Sequence, residues 1–189
     1  MHRIKRSPED IHALREIDRL GVSPSKLFGF DFSGTAVVKP WGYEYLVYES
    51  PDKSICAWVL HMKNNGLGTS LHCHRNKQTR LTVLDGEVTV STINQELSLS
   101  RNQEALIDQA AFHSLTAITD PCVVVEIESP SNKPDAIRWK DIWGRERQEY
   151  EAQCELVHIG QLSCPYKTDA ILKDQVTTIV HETIRIFGS

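Results

Sequence analysis

Long hydrophobic runs are missing from the sequence, and so is a stripe of basic residues. No apolar stretch approaches the roughly 18 residues that a membrane span needs, so we expect no membrane partner. Lysine and arginine are scattered and the formal net charge is −4, which argues against nucleic acid as a partner. Residues 1–20 also lack the apolar core and cleavage site of a secretory signal, so the expected location is cytoplasmic.

The five cysteines form no C-x-x-C pair, and their number is odd. In a cytosolic chain of this size such cysteines are more often reduced and buried than joined in a disulfide framework. The 189 residues suit one domain with appendages, since a single core usually needs about 100–150 residues. The expected organisation is an N-terminal arm at residues 1–34, a main domain at 35–148 and a C-terminal extension at 149–189, for the reasons given by the motifs below.

A helix is predicted near the N-terminus. Ser7 fits its N-cap, Pro8 its first position and Asp10 a capping box, and Gly21 ends it. Four apolar residues follow at helical spacing: Ile11, Leu14, Ile17 and Leu20. This stripe should lie against the main body of the protein or against a second subunit.

Short runs rich in β-branched and aromatic residues dominate the middle of the chain, at 42–50, 55–63, 80–92, 104–118 and 122–130. Their close spacing, with no helical pattern between them, favours an antiparallel sandwich or barrel. Asp85-Gly86 between alternating apolar residues predicts a hairpin turn. Residues 168–187 fit a helix but are also rich in β-branched residues that alternate, so both assignments stay open there.

Three histidines suggest a metal site. His72 and His74 are two apart in a strand pattern, so both should point to the same face, and antiparallel return could bring His113 opposite them. Neutral imidazole is the commonest metal ligand, and a three-histidine set leaves positions open for water or substrate. The alternative is that the pair is ordinary polar surface.

The spacing of Gly66, His72, His74, Gly86 and His113 resembles the two motifs of the cupin family. The flanks are similar to those of type II mannose-6-phosphate isomerase domains and other cupins of sugar-nucleotide pathways. These matches are Pro40, Trp41, Gly42, Asp135, Arg138, Asp141, Gly144 and Arg145. The resemblance covers roughly residues 37–148. It implies an all-β double-stranded β-helix, the cupin jelly-roll barrel, with an N-terminal helix and a C-terminal extension. Because small cupins commonly dimerise, a homodimer is expected.

One departure from the family concerns the glutamate that usually serves as a fourth metal ligand. Counted back from Gly86 its place holds Thr79, and counted forward from His74 it holds Lys77. The resemblance therefore implies a divalent ion (Zn, Fe, Ni, Mn or Cu) bound by His72, His74 and His113. Gln78 would be a weak fourth donor. A barrel that holds a ligand without a catalytic metal is the alternative.

Further candidate residues surround these ligands. Glu126 shares a strand face with Glu128, matches a glutamate of the isomerase pattern and is the predicted general base. The other catalytic candidates are His61 and Lys77, and the substrate-binding candidates are Tyr43, Arg75 and Arg138. Trp41 and Tyr45 share the predicted face of Tyr43. Each of these also has a structural explanation, as core, surface or ion-pair residue.

The predicted function is metal-dependent isomerisation or epimerisation of a small polar substrate, such as a sugar phosphate or nucleotide sugar. Two alternatives stay open. One is a three-histidine iron dioxygenase, and the other is a sugar-binding cupin without catalysis.

Overall fold

The computed structural model describes residues 1–21, 31–140, 155–162 and 170–187. Within them lie thirteen strands, two α-helices and one turn of 3₁₀ helix at Ile159–Gln161. The helices are α1 (Pro8–Leu20) and α2 (Ala170–Phe187). The strands are β1 (His2–Ile4), β2 (Thr35–Lys39), β3 (Gly42–Glu49), β4 (Cys56–Met62), β5 (Leu71–Cys73), β6 (Gln78–Asp85), β7 (Glu87–Ser91), β8 (Glu96–Ser100), β9 (Glu104–Ile107), β10 (Ser114–Ala117), β11 (Cys122–Ser129), β12 (Ile137–Lys140) and β13 (Glu155–His158).

Two layers of strands face each other. The larger sheet runs β1-β9-β6-β11-β4-β3-β2-β13, and all of its pairs are antiparallel except β1 with β9. The opposite layer consists of β10-β7-β8 and β12-β5, joined by backbone bridges at His72–His113 and Gly68–Thr116. This arrangement confirms the predicted all-β jelly-roll barrel.

The main core fills the space between the layers. The inward residues of β4, Trp58, Leu60 and Met62, pack there with Val88 and Leu115 of the opposite layer. Three cysteines, Cys56, Cys73 and Cys122, are buried and form no disulfide within the described residues. Their state agrees with the prediction of reduced, buried side chains.

The Asp85-Gly86 turn differs from its prediction. β6 pairs with β11 and β9, whereas β7 pairs with β10 and β8, so the two strands that flank Gly86 belong to different layers. Gly86 has φ 74°, and a Cβ there would lie 2.3 Å from Thr119 Oγ1. The predicted hairpin is therefore wrong, because this glycine carries the chain across the barrel edge rather than back along it.

Helix α1 begins as predicted, with Ser7 as N-cap and Asp10 completing the capping box. Its buried residues are Asp10, Ala13 and Ile17, and the last two pack beside Phe112. Ile11 and Leu20 of the predicted stripe are 37% and 50% exposed. Leu14 and Ile17 of the stripe do pack in the cluster around Phe112, so the helix contacts the barrel as predicted, with the contact face shifted toward Ala13.

The C-terminal segment folds as a helix, which resolves the ambiguity between helix and strand. Val176, Ile179 and Val180 of α2 are buried against the outer face of the larger sheet, beside Val123 and Val125. The guanidinium of β6 residue Arg80 donates to Thr183 Oγ1 at 2.8 Å and to Ile179 O at 3.3 Å. Among the described helices, neither combines the length and apolar character needed to cross a bilayer.

Candidate metal centre

The backbone brings two of the predicted ligands together. His72 and His113 form an antiparallel pair, with His72 N donating to His113 O at 3.0 Å and His113 N donating to His72 O at 2.8 Å. Their rings lie 4.6 Å apart between centroids. His74 follows at the end of β5, with its ring 5.0 Å from that of His72 and 5.5 Å from that of His113.

Each imidazole is oriented by a backbone carbonyl. Nδ1 of His72 donates to Ser70 O at 2.7 Å and Nδ1 of His74 to Asp135 O at 2.7 Å, while Nδ1 of His113 donates to Ala111 O at 3.0 Å. A carbonyl oxygen can only accept, so the proton of each neutral ring sits on Nδ1 and Nε2 keeps its lone pair. Histidines that bind metals are commonly oriented in this way.

The ligand atoms of the three histidines lie within 4.8 Å of one another. Nε2 of His74 and Nε2 of His113 are buried without a hydrogen-bond partner among the described residues. Such buried acceptors cost free energy unless something binds them. The cluster therefore fits a divalent ion such as Zn, Fe, Ni or Mn, because neutral imidazole nitrogens are suitable ligands for these metals.

Burial keeps these rings neutral. It lowers the pKa of His113 to about 4 and holds the pKa of His72 well below its ordinary value, where the neighbouring His113 adds to the effect. The pKa of His74 is lowered in the same way, by burial and then by the Lys77 ammonium. Near neutral pH all three imidazoles are therefore free of the second proton that would block metal binding.

Two glutamates of β11 point into the barrel beside the histidines. Alternation along the strand places Glu126 and Glu128 on the inner face with Val124, whereas Val123 and Val125 face α2. Carboxylate oxygens of both glutamates lie within 4.8 Å of a ligand nitrogen of His74. Burial, and then the charge of Glu128, raises the pKa of Glu126 to about 7. Glu126 can therefore exchange a proton near neutral pH.

Glu128 and Lys77 form a buried ion pair that the sequence did not predict. Lys77 Nζ donates to Glu128 Oε1 at 2.5 Å, and the same oxygen lies 3.6 Å from His74 Nε2. Thr79, in the other place where a fourth ligand was sought, lies opposite Glu128 in the register of β6 with β11. In the sequence, the sign that Glu128 lies near the site was its shared strand face with Glu126. The sign for Lys77 was that it stands three residues after His74, where a ligand glutamate was sought.

A second charged cluster lines the same pocket. Glu44 Oε1 accepts from Lys133 Nζ at 2.7 Å and lies 2.9 Å from Lys39 Nζ. Lys133 Nζ also sits 3.8 Å from the centre of the Trp58 ring. Burial alone would raise the pKa of Glu44, but the two ammonium groups outweigh it and hold the pKa well below its usual range. Arg138, which lies opposite His72 in the register of β12 with β5, lines the same pocket. We call Lys39, Lys133 and Arg138 together the cationic wall.

His61 and Tyr43 lie away from the cluster of three candidate metal ligands. The His61 ring stacks at 4.7 Å on Tyr43 and at 5.6 Å on Tyr45, and Tyr45 and its neighbour Tyr43 pack in the outer cluster with α2. Trp41 lies inside the barrel, so the predicted common face of Trp41, Tyr43 and Tyr45 is wrong. Gly42, with φ 142° and no room for a Cβ beside His61 O, changes the alternation at the start of β3.

Arg75 and Gln78 also lie outside the cluster. Arg75 pairs with Asp18 of α1, at the surface. Gln78 is on the outer side of β6 and lines a surface groove with Arg3 and Asp108. The strand alternation explains its position, because Leu81 and Val83 of β6 point inward and even-numbered residues point out. The matched positions Asp141, Gly144 and Arg145 lie outside the described residues.

No family model and no curated protein matches the sequence. Among solved structures the chain is similar to KdgF from Halomonas sp., with 19% identity, a TM-score of 0.47 and coverage of 50% of this chain and 85% of that one. It is similar to an uncharacterised conserved protein with a double-stranded β-helix domain from Klebsiella pneumoniae, with 21% identity, a TM-score of 0.43 and coverage of 47% and 72%. A cupin-2 domain protein from Shewanella frigidimarina shares 15% identity, with a TM-score of 0.40 and coverage of 46% and 78%.

Proposed function

We propose that this chain is a metal-dependent cupin enzyme that isomerises or epimerises a small anionic substrate such as a sugar phosphate or nucleotide sugar. The observation that carries the proposal is the position of Glu126, a buried carboxyl with a pKa raised to about 7, beside three convergent imidazoles. This pairing supplies both a metal site and a proton-transfer group in one pocket.

His72, His74 and His113 would hold the ion through Nε2, since each Nδ1 already donates to a carbonyl. A bound divalent ion supplies Lewis-acid polarisation of a carbonyl or hydroxyl oxygen. The part of this chain is then proton transfer, in which ionised Glu126 removes a proton from carbon and returns it to the neighbouring carbon on the same face in an isomerisation. An epimerisation would need a second proton donor on the opposite face of the substrate. A base whose pKa is near the working pH is efficient in both directions.

The cationic wall supports an anionic substrate. Lys39 and Lys133 bring two ammonium groups into this pocket, at 2.9 and 2.7 Å from Glu44 Oε1. Arg138 adds a guanidinium, which can grip a phosphate or carboxylate with two parallel hydrogen bonds. A small anion held by these groups would lie in the same pocket as the histidines and Glu126.

A three-histidine iron dioxygenase is the second candidate. It is favoured by the Lys77–Glu128 pair, because a carboxylate engaged at 2.5 Å by an ammonium is less available to the ion. The ion would then keep three neutral ligands and its full charge. The homodimer remains a prediction. The buried residues of both helices pack on the barrel of their own chain, so they do not identify a surface for a second subunit.

The test begins with metal analysis of protein purified without a histidine tag. We expect near-stoichiometric divalent metal in the parent and little in His72→Ala or His113→Ala. His12→Ala, on the exposed side of α1, is the matched control and should retain the metal. Equal trace contents in all four proteins would contradict the metal centre.

Activity assays separate the candidate reactions. Exchange of solvent deuterium into sugar phosphates or nucleotide sugars, lost in Glu126→Gln, would support isomerisation or epimerisation. Bound iron with oxygen consumption on thiols or catechols, retained in Glu126→Gln, would select the dioxygenase. Sugar binding that chelators do not change, without turnover of any substrate, would select a non-catalytic cupin.

A further inference from the structure

Lys77 lies directly beside the histidine cluster and is only 1% exposed, so its ammonium group is buried. A buried charge is tolerated only when it is paired and hydrogen-bonded. Glu128, also 1% exposed, supplies that partner through Oε1 at 2.5 Å. The pair is therefore a built part of the barrel interior rather than two side chains that happen to meet.

The same oxygen atom faces two ways. Oε1 of Glu128 is both the acceptor for Lys77 and the atom 3.6 Å from His74 Nε2, whereas Oε2 lies 3.6 Å from Cys56 Sγ. An ion held by the histidine nitrogens would thus find the nearest carboxylate oxygen already engaged. An ammonium and a divalent ion are both cations, so they compete for this oxygen and repel each other.

We propose that Lys77 is an internal counter-ion that withholds Glu128 from the metal and so keeps the centre at three neutral protein ligands. The inference rests on the proposed metal site. Replacing Lys77 with a neutral side chain releases Oε1, adds a fourth protein ligand and removes a positive charge. Lys77 is thus a positioning residue that sets the ligand number, the net charge and the affinity of the centre.

The experiment compares metal binding by the parent, Lys77→Met, Glu128→Gln and the double variant K77M/E128Q, with Co²⁺ and Zn²⁺ as probes. Methionine approximates the length of lysine, and the double variant leaves no uncompensated buried charge. Chelator competition gives the affinity, and the intensity of the visible Co²⁺ absorption reports the ligand number. Lys63→Met, at an exposed lysine, is the control.

We expect Lys77→Met to bind the ion about tenfold or more tightly than the parent, the scale on which residues around a metal centre act. Its Co²⁺ absorption should change, while K63M matches the parent. Affinity and spectrum unchanged in K77M would overturn the inference and leave the metal site standing. Failure of the parent and all variants to bind either ion would instead overturn the proposed function.

Lys77→Met leaves Glu128 as an uncompensated buried charge and can fail to fold without metal. The comparison of E128Q with K77M/E128Q then decides. In E128Q the ammonium remains without its carboxylate and repels the ion, so its affinity should be lower than that of the double variant by about tenfold. Equal affinities in these two variants would show that the Lys77 ammonium does not act on the ion, which removes the electrostatic competition on which the inference rests and overturns it.

Discussion

Asp10 Oδ1 accepts a hydrogen bond of 2.9 Å from the backbone N–H of Phe112, a residue 102 positions away that directly precedes His113. The other oxygen, Oδ2, accepts from the backbone N and the Oγ of Ser7, at 2.7 and 2.8 Å. One buried carboxylate therefore joins the start of α1 to the loop that carries a metal-ligand candidate.

Substituting Asp10→Ala should lower both stability and metal affinity. The change removes the carboxylate that completes the capping box and leaves the buried backbone N–H of Phe112 without its partner, a loss of about 1–3 kcal/mol in the free energy of unfolding. Thermal unfolding and metal titration measure the two effects. Glu9→Ala, one position earlier and exposed, should change neither. Lost stability with unchanged metal affinity would show that α1 does not position His113.

The raised pKa of Glu126 predicts a pH-dependent effect of Glu126→Gln on the metal-free protein. Because burial raises this pKa from 4.5 to about 7, the folded state disfavours the ionised form and loses stability as the pH rises through this range. Glutamine cannot ionise. The free energy of unfolding of Glu126→Gln should therefore exceed that of the parent by little near pH 4.5, and by about 3 kcal/mol at a pH above about 7. Urea unfolding with a chelator present measures this difference.

An identical stability gap at both ends of that pH range would contradict the assignment of Glu126. The same titration governs turnover, because only the ionised carboxyl can act as a base. A bound divalent ion would favour the ionised carboxylate and lower this pKa, so the activity of the metal-loaded parent should rise with pH through a value below about 7.

Lys133→Met should weaken both the fold and anion binding. It removes the ammonium 2.7 Å from Glu44 Oε1 and its contact with the Trp58 ring, at a cost of about 1–3 kcal/mol. Glu44 has a lowered pKa, so its ion pair contributes above its ordinary pKa of 4.5 and is lost as the pH falls below it. The gap between parent and variant should shrink accordingly.

Lys53→Met serves as the control for that measurement, since Lys53 is exposed and lies 3.9 Å from Glu49. Unfolding curves at several pH values and calorimetric titration with inorganic phosphate test both expectations. Phosphate affinity equal to that of the parent would remove Lys133 from the proposed substrate site.

Thr183→Val should loosen α2 from the barrel. The buried hydroxyl accepts from Arg80 Nη1 at 2.8 Å and donates to Ile179 O at 2.7 Å, so its loss should cost about 1–2 kcal/mol. Thr178→Val is closely matched, because this exposed hydroxyl makes the corresponding bond within the helix, to Asp174 O at 2.9 Å. Chemical denaturation of the two variants should differ, and equal losses would place the effect in the helix alone.

Local periodicity predicted an antiparallel sandwich or barrel and the common facing of side chains two residues apart, whereas the jelly-roll topology followed from the resemblance to a known family. A period of two placed His72 with His74 and Glu126 with Glu128, and the capping box located the start of α1. The α2 assignment stayed open because β-branched residues suit either structure. Its outcome depends on the apolar outer face of the larger sheet, which no local pattern of the C-terminal segment reveals.

The errors concern facing across the barrel. Tyr43 and His61 lie on outward positions of β3 and β4, and the sequence gives no absolute sense of which face is inside. Gly86 has the composition of a hairpin turn but joins strands of two different layers. The pairing of Lys77 with Glu128 links residues 51 positions apart, so it depends on the register of β11 and could not be read from neighbours in sequence.

The reciprocal backbone pairing of His72 with His113 has a kinetic consequence. Two donor groups are spaced by peptide hydrogen bonds of 3.0 and 2.8 Å, and the folding of the barrel has already met the entropic cost of joining them. Capture of the proposed ion would then require loss of its water ligands and entry into the pocket, with no rearrangement of the backbone that carries His72 and His113. The rate of metal uptake should accordingly track the water-exchange rate of the ion rather than any rearrangement of the chain.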